Sequence, residues 1–327
     1  MNKKILFILA LALTAILPLL LAWLATPELS LPDILNTTPS TDRFIFFHLR
    51  LPKHVLAFAV GAALALAGMS FQSLLKNPLA DPYILGVSGG AALGYVLAVV
   101  LKLPFYCMPF AGFLFALLSL VLIYSLAKTG GTIVTTNLLL TGVIFNSFSF
   151  AIILIINAVA NFGQSQQILY LLLGSIDTIS WPQITVLSTF LVLAGAVLFR
   201  HANALNLLSL GDEEAQHLGV DIVREKKIIF VITSILVGAS VSVCGLIGFV
   251  GLFVPHLLRL IFGADHRVLL PACALAGGLF LLLSNFIADH ALATTALQTR
   301  LPVGVITALI GAPVFVYLLK KAARQRE

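Results

Sequence analysis

The feature that most constrains this chain is a series of long stretches without one charged side chain. Residues 5–27, 55–75, 83–101, 103–127, 129–176, 178–199, 228–258, 268–288 and 301–319 contain no Asp, Glu, Lys or Arg. A helix needs about 20 predominantly apolar residues to cross the hydrocarbon core of a bilayer. Nor do these stretches alternate apolar with polar residues, as the strands of a membrane barrel must. Composition agrees, since 60% of the residues are hydrophobic and 10% charged, against about 25% charged in a soluble domain. The expectation is an all-α, polytopic transmembrane protein whose single domain covers residues 1–327.

Two stretches need dividing. Stretch 129–176 holds one span near 138–160 and then a polar patch, Asn161 to Gln167, followed by a short interfacial helix ending near Gly174. Stretch 228–258 is too long for one span, and its Gly238, Gly245, Gly248, Gly251 and Pro255 read as a full helix, a turn and a second, shorter helix. The total is about ten spans, each near the length a bilayer requires. The opening Met1-Asn2-Lys3-Lys4 and its apolar run read as an uncleaved first helix. Bulky Trp23 is poorly placed before Ala25, the only plausible cleavage position.

Lys and Arg collect on the cytoplasmic side of membrane proteins. With the N-terminus inside and ten spans, fourteen of the 19 Lys and Arg residues fall on the inner side. Arg43, Arg50, Lys53, Lys102 and Arg300 fall outside. Both termini are then cytoplasmic, and the net charge of +6 is a topology signal with no nucleic-acid partner behind it.

Searches for chemistry return little. No G-x-x-x-x-G-K-[ST] phosphate loop, H-E-x-x-H zinc pair or G-x-S-x-G elbow occurs, so no catalytic residue is assigned and ATP hydrolysis is not expected of this chain. Cys107, Cys244 and Cys273 lack metal-ligand spacing and read as packing residues, so no metal or cofactor is expected. A proton-driven pump would want a carboxylate near the middle of a span. Asp289 stands only at the outer end of one, which counts against a stand-alone secondary transporter.

Three polar or small-residue patterns remain. Ala57, Gly61, Ala65, Gly68 and Gln72 share one helix face. Small residues so spaced let helices approach closely; the functional alternative is a smooth wall lining a pathway, with Asn77 beyond it. Next, Lys76-Asn77-Pro78-Leu79-Ala80-Asp81-Pro82 and Gly86-Val87-Ser88-Gly89-Gly90 break the helix, and irregular backbone at membrane depth is tolerated only inside protein or beside water. Finally, the inner segment 201–227 carries helix punctuation: Ser209 as cap, Asp212, Glu213 and Glu214 in the first turn, Gly219 at the end, with Ala215 and Leu218 on one face. It reads as a surface helix, either a solvated linker or a docking knob for a cytoplasmic partner.

Taken in order, these residues resemble a known family. Arg50-Leu51-Pro52-Lys53, Gly61 to Gly68, Gln72, Asn77 to Pro82, Leu85 to Ser88, Leu210 to Asp212, Leu218 to Val220, Gly248 to His256 with Arg259, Asp265-His266-Arg267, Leu301 to Gly304 and Gly311 to Pro313 are similar to the FecCD-like permeases of iron–siderophore, haem and vitamin B12 importers. The resemblance covers essentially the whole chain. It implies a vitamin B12 importer permease-like fold and a homodimer of ten-helix subunits in a bacterial inner membrane, with the pathway between them. It also implies two cytoplasmic ATPase subunits below and a periplasmic or lipid-anchored substrate-binding protein above. The cargo implied is a metal chelate, iron–siderophore first, with vitamin B12 or haem as alternatives.

By the same resemblance, Gly211, Asp212, Glu213, Glu214, Ala215, Leu218 and Gly219 form the ATPase coupling segment. Thr135 and Thr136 open the cytoplasmic gate, and Thr also suits a helix N-cap there. Gly61, Ala65, Gly68, Gln72 and Asn77 line the pathway. Arg50 and Lys53 match an Arg-x-Pro-Arg motif that receives acidic groups of the binding protein. Lys replaces the second Arg, a point charge in place of a planar fork. Two further positions depart from the family pattern: Arg300 stands where Glu is usual, and Ala293 near where Arg is common. Arg300 is therefore expected to supply outer positive charge from a shifted place.

Overall fold

The computed structural model describes residues 16–18, 20, 21, 41–129, 132, 133, 135–176, 180–291 and 300–324. Helix α1 (Thr41–Ile45) runs through a π-helical turn, Phe46–Arg50, into α2 (Leu51–Leu74). A 3₁₀ turn at Pro82–Leu85 leads to α3 (Val87–Val100) and α4 (Cys107–Ala127). A two-residue antiparallel bridge then pairs Lys128 with Ile133 and Thr129 with Thr132. The rest is helical: α5 (Thr135–Val159), α6 (Phe162–Leu173), α7 (Trp181–Arg200), α8 (Ala202–Leu208), α9 (Asp212–His217), α10 (Ile222–Cys244), α11 (Val250–Phe262), α12 (His266–His290) and α13 (Val303–Arg324).

Among the described residues, six helices are long and apolar enough to cross a membrane, and α3, α11 and α13 are shorter apolar helices. The first expected span lies largely outside the described residues. The divided stretches resolve as their residues suggest. Gly245 follows the last residue of α10 at φ +70°, and α11 starts five residues later. Asn161 and Gln164 form a reciprocal capping box at the start of α6, and Gly174 ends that helix.

Helix α2 is the hub, packed against α7, α10, α11 and most extensively α12. The small-residue stripe explains how so many neighbours fit. A methyl group placed on Gly277 of α12 would lie 2.6 Å from the carbonyl oxygen of Gly61. One placed on Gly68 would overlap the backbone of Gly251 in α11. Without side chains in between, the helix axes come close enough for backbone-to-backbone contact.

This packing is what the close-approach reading of Gly61, Ala65, Gly68 and Gln72 expects. All four are buried among helices of their own subunit. Gln72 finds the partners its burial demands: its Nε2 donates to the carbonyls of Gly251 and Leu252, 3.2 Å each. Asn77 alone of that group is exposed, and its Oδ1 accepts from the Leu79 N–H at 2.9 Å.

Candidate functional site

The predicted gate and coupling residues meet in one place. Thr135 and Thr136 begin α5, and Asp212 and Glu213 begin α9. Together with Lys76, Asp221 and Lys226 they line an open cavity of ≈ 910 Å³. Its centre is an ionic node. Asp212 Oδ1 lies 2.9 Å from Lys76 Nζ and Oδ2 lies 2.5 Å from Lys226 Nζ. Lys226 also donates to Thr135 Oγ1 at 3.3 Å. Burial pushes the Asp212 carboxyl up, but hydrogen bonds and charge from Lys226 and Lys76 outweigh it, so Asp212 is held below the ordinary carboxylate range.

Local backbone chemistry presents α9 at the surface. Gly211 stands at its N-cap and Gly219, at φ +84°, turns the chain just after it. Asp212, Glu213 and Glu214 occupy the first turn, where the helix dipole favours negative charge. Two details differ from the sequence expectation. Ser209 is no N-cap, because α8 occupies the preceding residues and the Ser209 hydroxyl donates back to Leu205 O at 2.8 Å. Leu218 does not share the inward face of Ala215: Ala215 is fully buried, while Leu218 is 61% exposed.

Helix α8, unforeseen in the sequence, anchors this segment to the transmembrane bundle. Asn206 Oδ1 accepts from the His266 backbone N–H at 2.8 Å and contacts His266 Nδ1 at 2.6 Å. Its Nδ2 donates to Asp265 at 2.9 Å, and Arg267 Nε donates to Asn203 at 2.6 Å. The Asn206 hydrogen bond, first, and the Arg267 backbone N–H hold Asp265 below its ordinary carboxylate range. The other side of His266, Nε2, meets Ser73 Oγ of α2 at 2.5 Å. The Asp265-His266-Arg267 motif is thus a clamp between α8 and the hub.

A second junction joins the broken backbone segments. Tyr83 Oη donates to Ile247 O at 2.7 Å and accepts from Ile247 N at 2.9 Å. Asn146, within α5, accepts from Gly89 N at 3.0 Å and donates to Tyr83 O. Gly86 takes φ +84° here, and a side chain on Gly142 would come 2.7 Å from the Leu85 backbone. Helix α5 therefore has two fixed points, Asn146 on the Tyr83 turn and Thr135 on Lys226. Sequence reasoning passed over Tyr83, Asn146 and Lys226. An amide within an apolar span was available as a signal, since it drew attention to Gln72 and applies equally to Asn146.

Near the start of α2, Lys53 Nζ lies 2.5 Å from Asp289, with both side chains over 90% buried. Within the chain, the Asp289 carboxylate is the partner of the Lys53 ammonium. Burial makes this pairing obligatory, since an uncompensated buried charge costs several kcal/mol. Arg50 is half-buried and Arg300 exposed, so both stay open to a partner. Ala293 lies outside the described residues.

A helical bundle that crosses the membrane repeatedly, with a charged surface helix wired to its interior, defines a multi-pass membrane permease. The FecCD transport family matches residues 6–321, and the chain belongs to it. The cobalamin import system permease of Halobacterium salinarum is 41% identical over 284 residues, covering 86% of this chain and 75% of that protein. The hemin transport system permease of Yersinia pestis is 36% identical, covering 97% and 95%. The vitamin B12 import permease of Salmonella schwarzengrund is 35% identical, covering 99% and 97%. Among solved structures, a metal-chelate type ABC transporter in an inward-facing conformation superposes with a TM-score of 0.84 at 30% identity, over 98% of this chain and 100% of that one. This chain is a permease of the ABC importer class that handles metal chelates, vitamin B12 or haem.

Proposed function

We propose that the chain forms the homodimeric membrane subunit of an ATP-driven importer for a metal-centred macrocycle such as cobalamin or haem. A separate ATPase docks on α9, and a periplasmic or lipid-anchored binding protein docks outside at Arg50 and Arg300. Both termini face the cytoplasm of a bacterial inner membrane, and this subunit itself is non-catalytic. The observation that carries the reading is the shared cavity, where the first residues of α9 and α5 meet on one ionic node. A surface helix free of the bundle would suit a linker; one tied to the start of α5 suits a device that moves it. Asn77, exposed beside that cavity, is retained as a pathway residue.

Ferric siderophore was the first cargo expected from the sequence. No side chain described above argues for it, whereas the relatives at 41%, 36% and 35% identity carry cobalamin, hemin and vitamin B12 in their names. Growth of a deletion strain on limiting cobalamin, haem or ferric siderophore separates the three. Loss of growth on cobalamin or haem is expected. Loss on ferric siderophore alone would overturn the cargo assignment.

A further inference from the structure

Lys226 is an unusual residue for its place. It sits in the second turn of α10 and is 5% exposed. The adjacent Lys227 is exposed, with its ammonium 5.9 Å from the Tyr124 ring. A buried ammonium in such a position needs close partners, and Lys226 has two on different elements: Asp212 at 2.5 Å and Thr135 at 3.3 Å. Lys76 reinforces the Asp212 end from the loop after α2, but its side chain is 37% exposed and solvent screens it.

We propose that Lys226 is the positioning residue that transmits movement of the cytoplasmic helix α9 to the start of α5. One ammonium holds Asp212, the first residue of α9, and Thr135, the first residue of α5. Displacing α9 therefore either pulls on the start of α5 through Lys226 or leaves a buried ammonium without its carboxylate partner, although the Asp212 side chain itself is 42% exposed. Asp212 works through Lys226, and Thr135 is the output. The idea rests on reading α9 as the ATPase dock and Thr135–Thr136 as the gate.

The test uses the full complex with its ATPase and binding protein in proteoliposomes, measuring cargo transported per ATP hydrolysed. Lys226→Met is expected to keep ATP hydrolysis while transport per ATP falls tenfold or more. Lys226→Arg, which keeps the charge, should recover most of the ratio. Thr135→Val, which removes only the longer contact, should give a smaller loss. If Lys226→Met lowers yield or melting temperature but leaves transport per ATP unchanged in the surviving protein, the residue is merely structural and the proposal is overturned.

Glu213→Cys separates docking from transmission. Cross-linking to the ATPase together with an unchanged ratio in Lys226→Met would overturn the transmission role and leave the docking reading intact. Absence of any cross-link in the assembled complex would overturn docking, and the transmission role with it.

Discussion

Helices α2 and α5 look alike in the sequence and behave oppositely in the fold. Both are long and apolar, and α5 is the more apolar of the two. Yet 89% of the α2 core window is buried inside the subunit, against 17% for α5. Hydropathy measures preference for a medium without water, and protein interior and lipid tails satisfy it equally. Side-chain size makes the distinction. The Ala and Gly of α2 allow neighbours to close in, whereas Val143, Ile144, Phe148 and Ile155 of α5 project outward, each at least 47% exposed. A hub must be immobile, while a helix held at two points can move between them.

Substitutions can break or sharpen this contrast. The largest effect is expected for Gly68→Leu in α2. Its side chain has no space beside the Gly251 backbone, and overpacking against backbone should cost about 3 kcal/mol or more, so little folded protein is recovered. Recovery of normal yield and melting temperature in lipid nanodiscs would show that the hub is softer than its geometry implies.

Next comes Lys53→Ala near the start of the hub. It strands Asp289 and should cost about 3–5 kcal/mol, whereas Lys53→Met with Asp289→Leu should restore most of that loss. Thermal unfolding of the three variants gives the comparison. A mild loss in the single mutant would show that the Lys53–Asp289 pair contributes little to stability.

The same logic finds the rigid point of α5. Gly142→Ala meets the Leu85 backbone and should cost about 1–3 kcal/mol, a hub-like penalty on a peripheral helix.

A smaller, pH-dependent effect is expected at Asp81, in the link between α2 and α3. Burial raises its carboxyl to about 6, partly offset by the Tyr83 backbone N–H. The unfolded chain releases this proton near pH 4 and the folded chain near 6, so the contribution of Asp81 to stability is greatest below that window. It falls as pH rises through the window and is level above it. Asp81→Asn should therefore remove that contribution, so that the variant melts higher than the parent at pH 8 and reaches parity near pH 4. An unchanged slope between pH 4 and 7 would contradict the assignment. The smallest change is expected for Ala151→Leu on the outward face of α5, within about 0.5 kcal/mol for the isolated subunit.

The spans, their approximate bounds and the division of 228–258 were legible because charge and glycine placement act locally. The surface helix α9 was legible for the same reason, through its acidic first turn and Gly219. The orientation of the α2 stripe was not. Close packing and pathway lining both call for small residues, and the facing Gly251 and Gly277 are far away in the sequence. The fate of Lys53 was hidden because its partner, Asp289, is 236 residues away. Lys226 escaped notice because its neighbour Lys227 is an ordinary solvated lysine, and sequence alone cannot say which of two adjacent cations turns inward.

The most direct test of the whole account is uptake into sealed proteoliposomes. The chain assembled with its ATPase and binding protein should accumulate cobalamin or haem only with ATP inside the compartment corresponding to the cytoplasm, and should be indifferent to a collapsed proton gradient. Concentrative uptake by the purified chain alone, abolished by a protonophore, would contradict it.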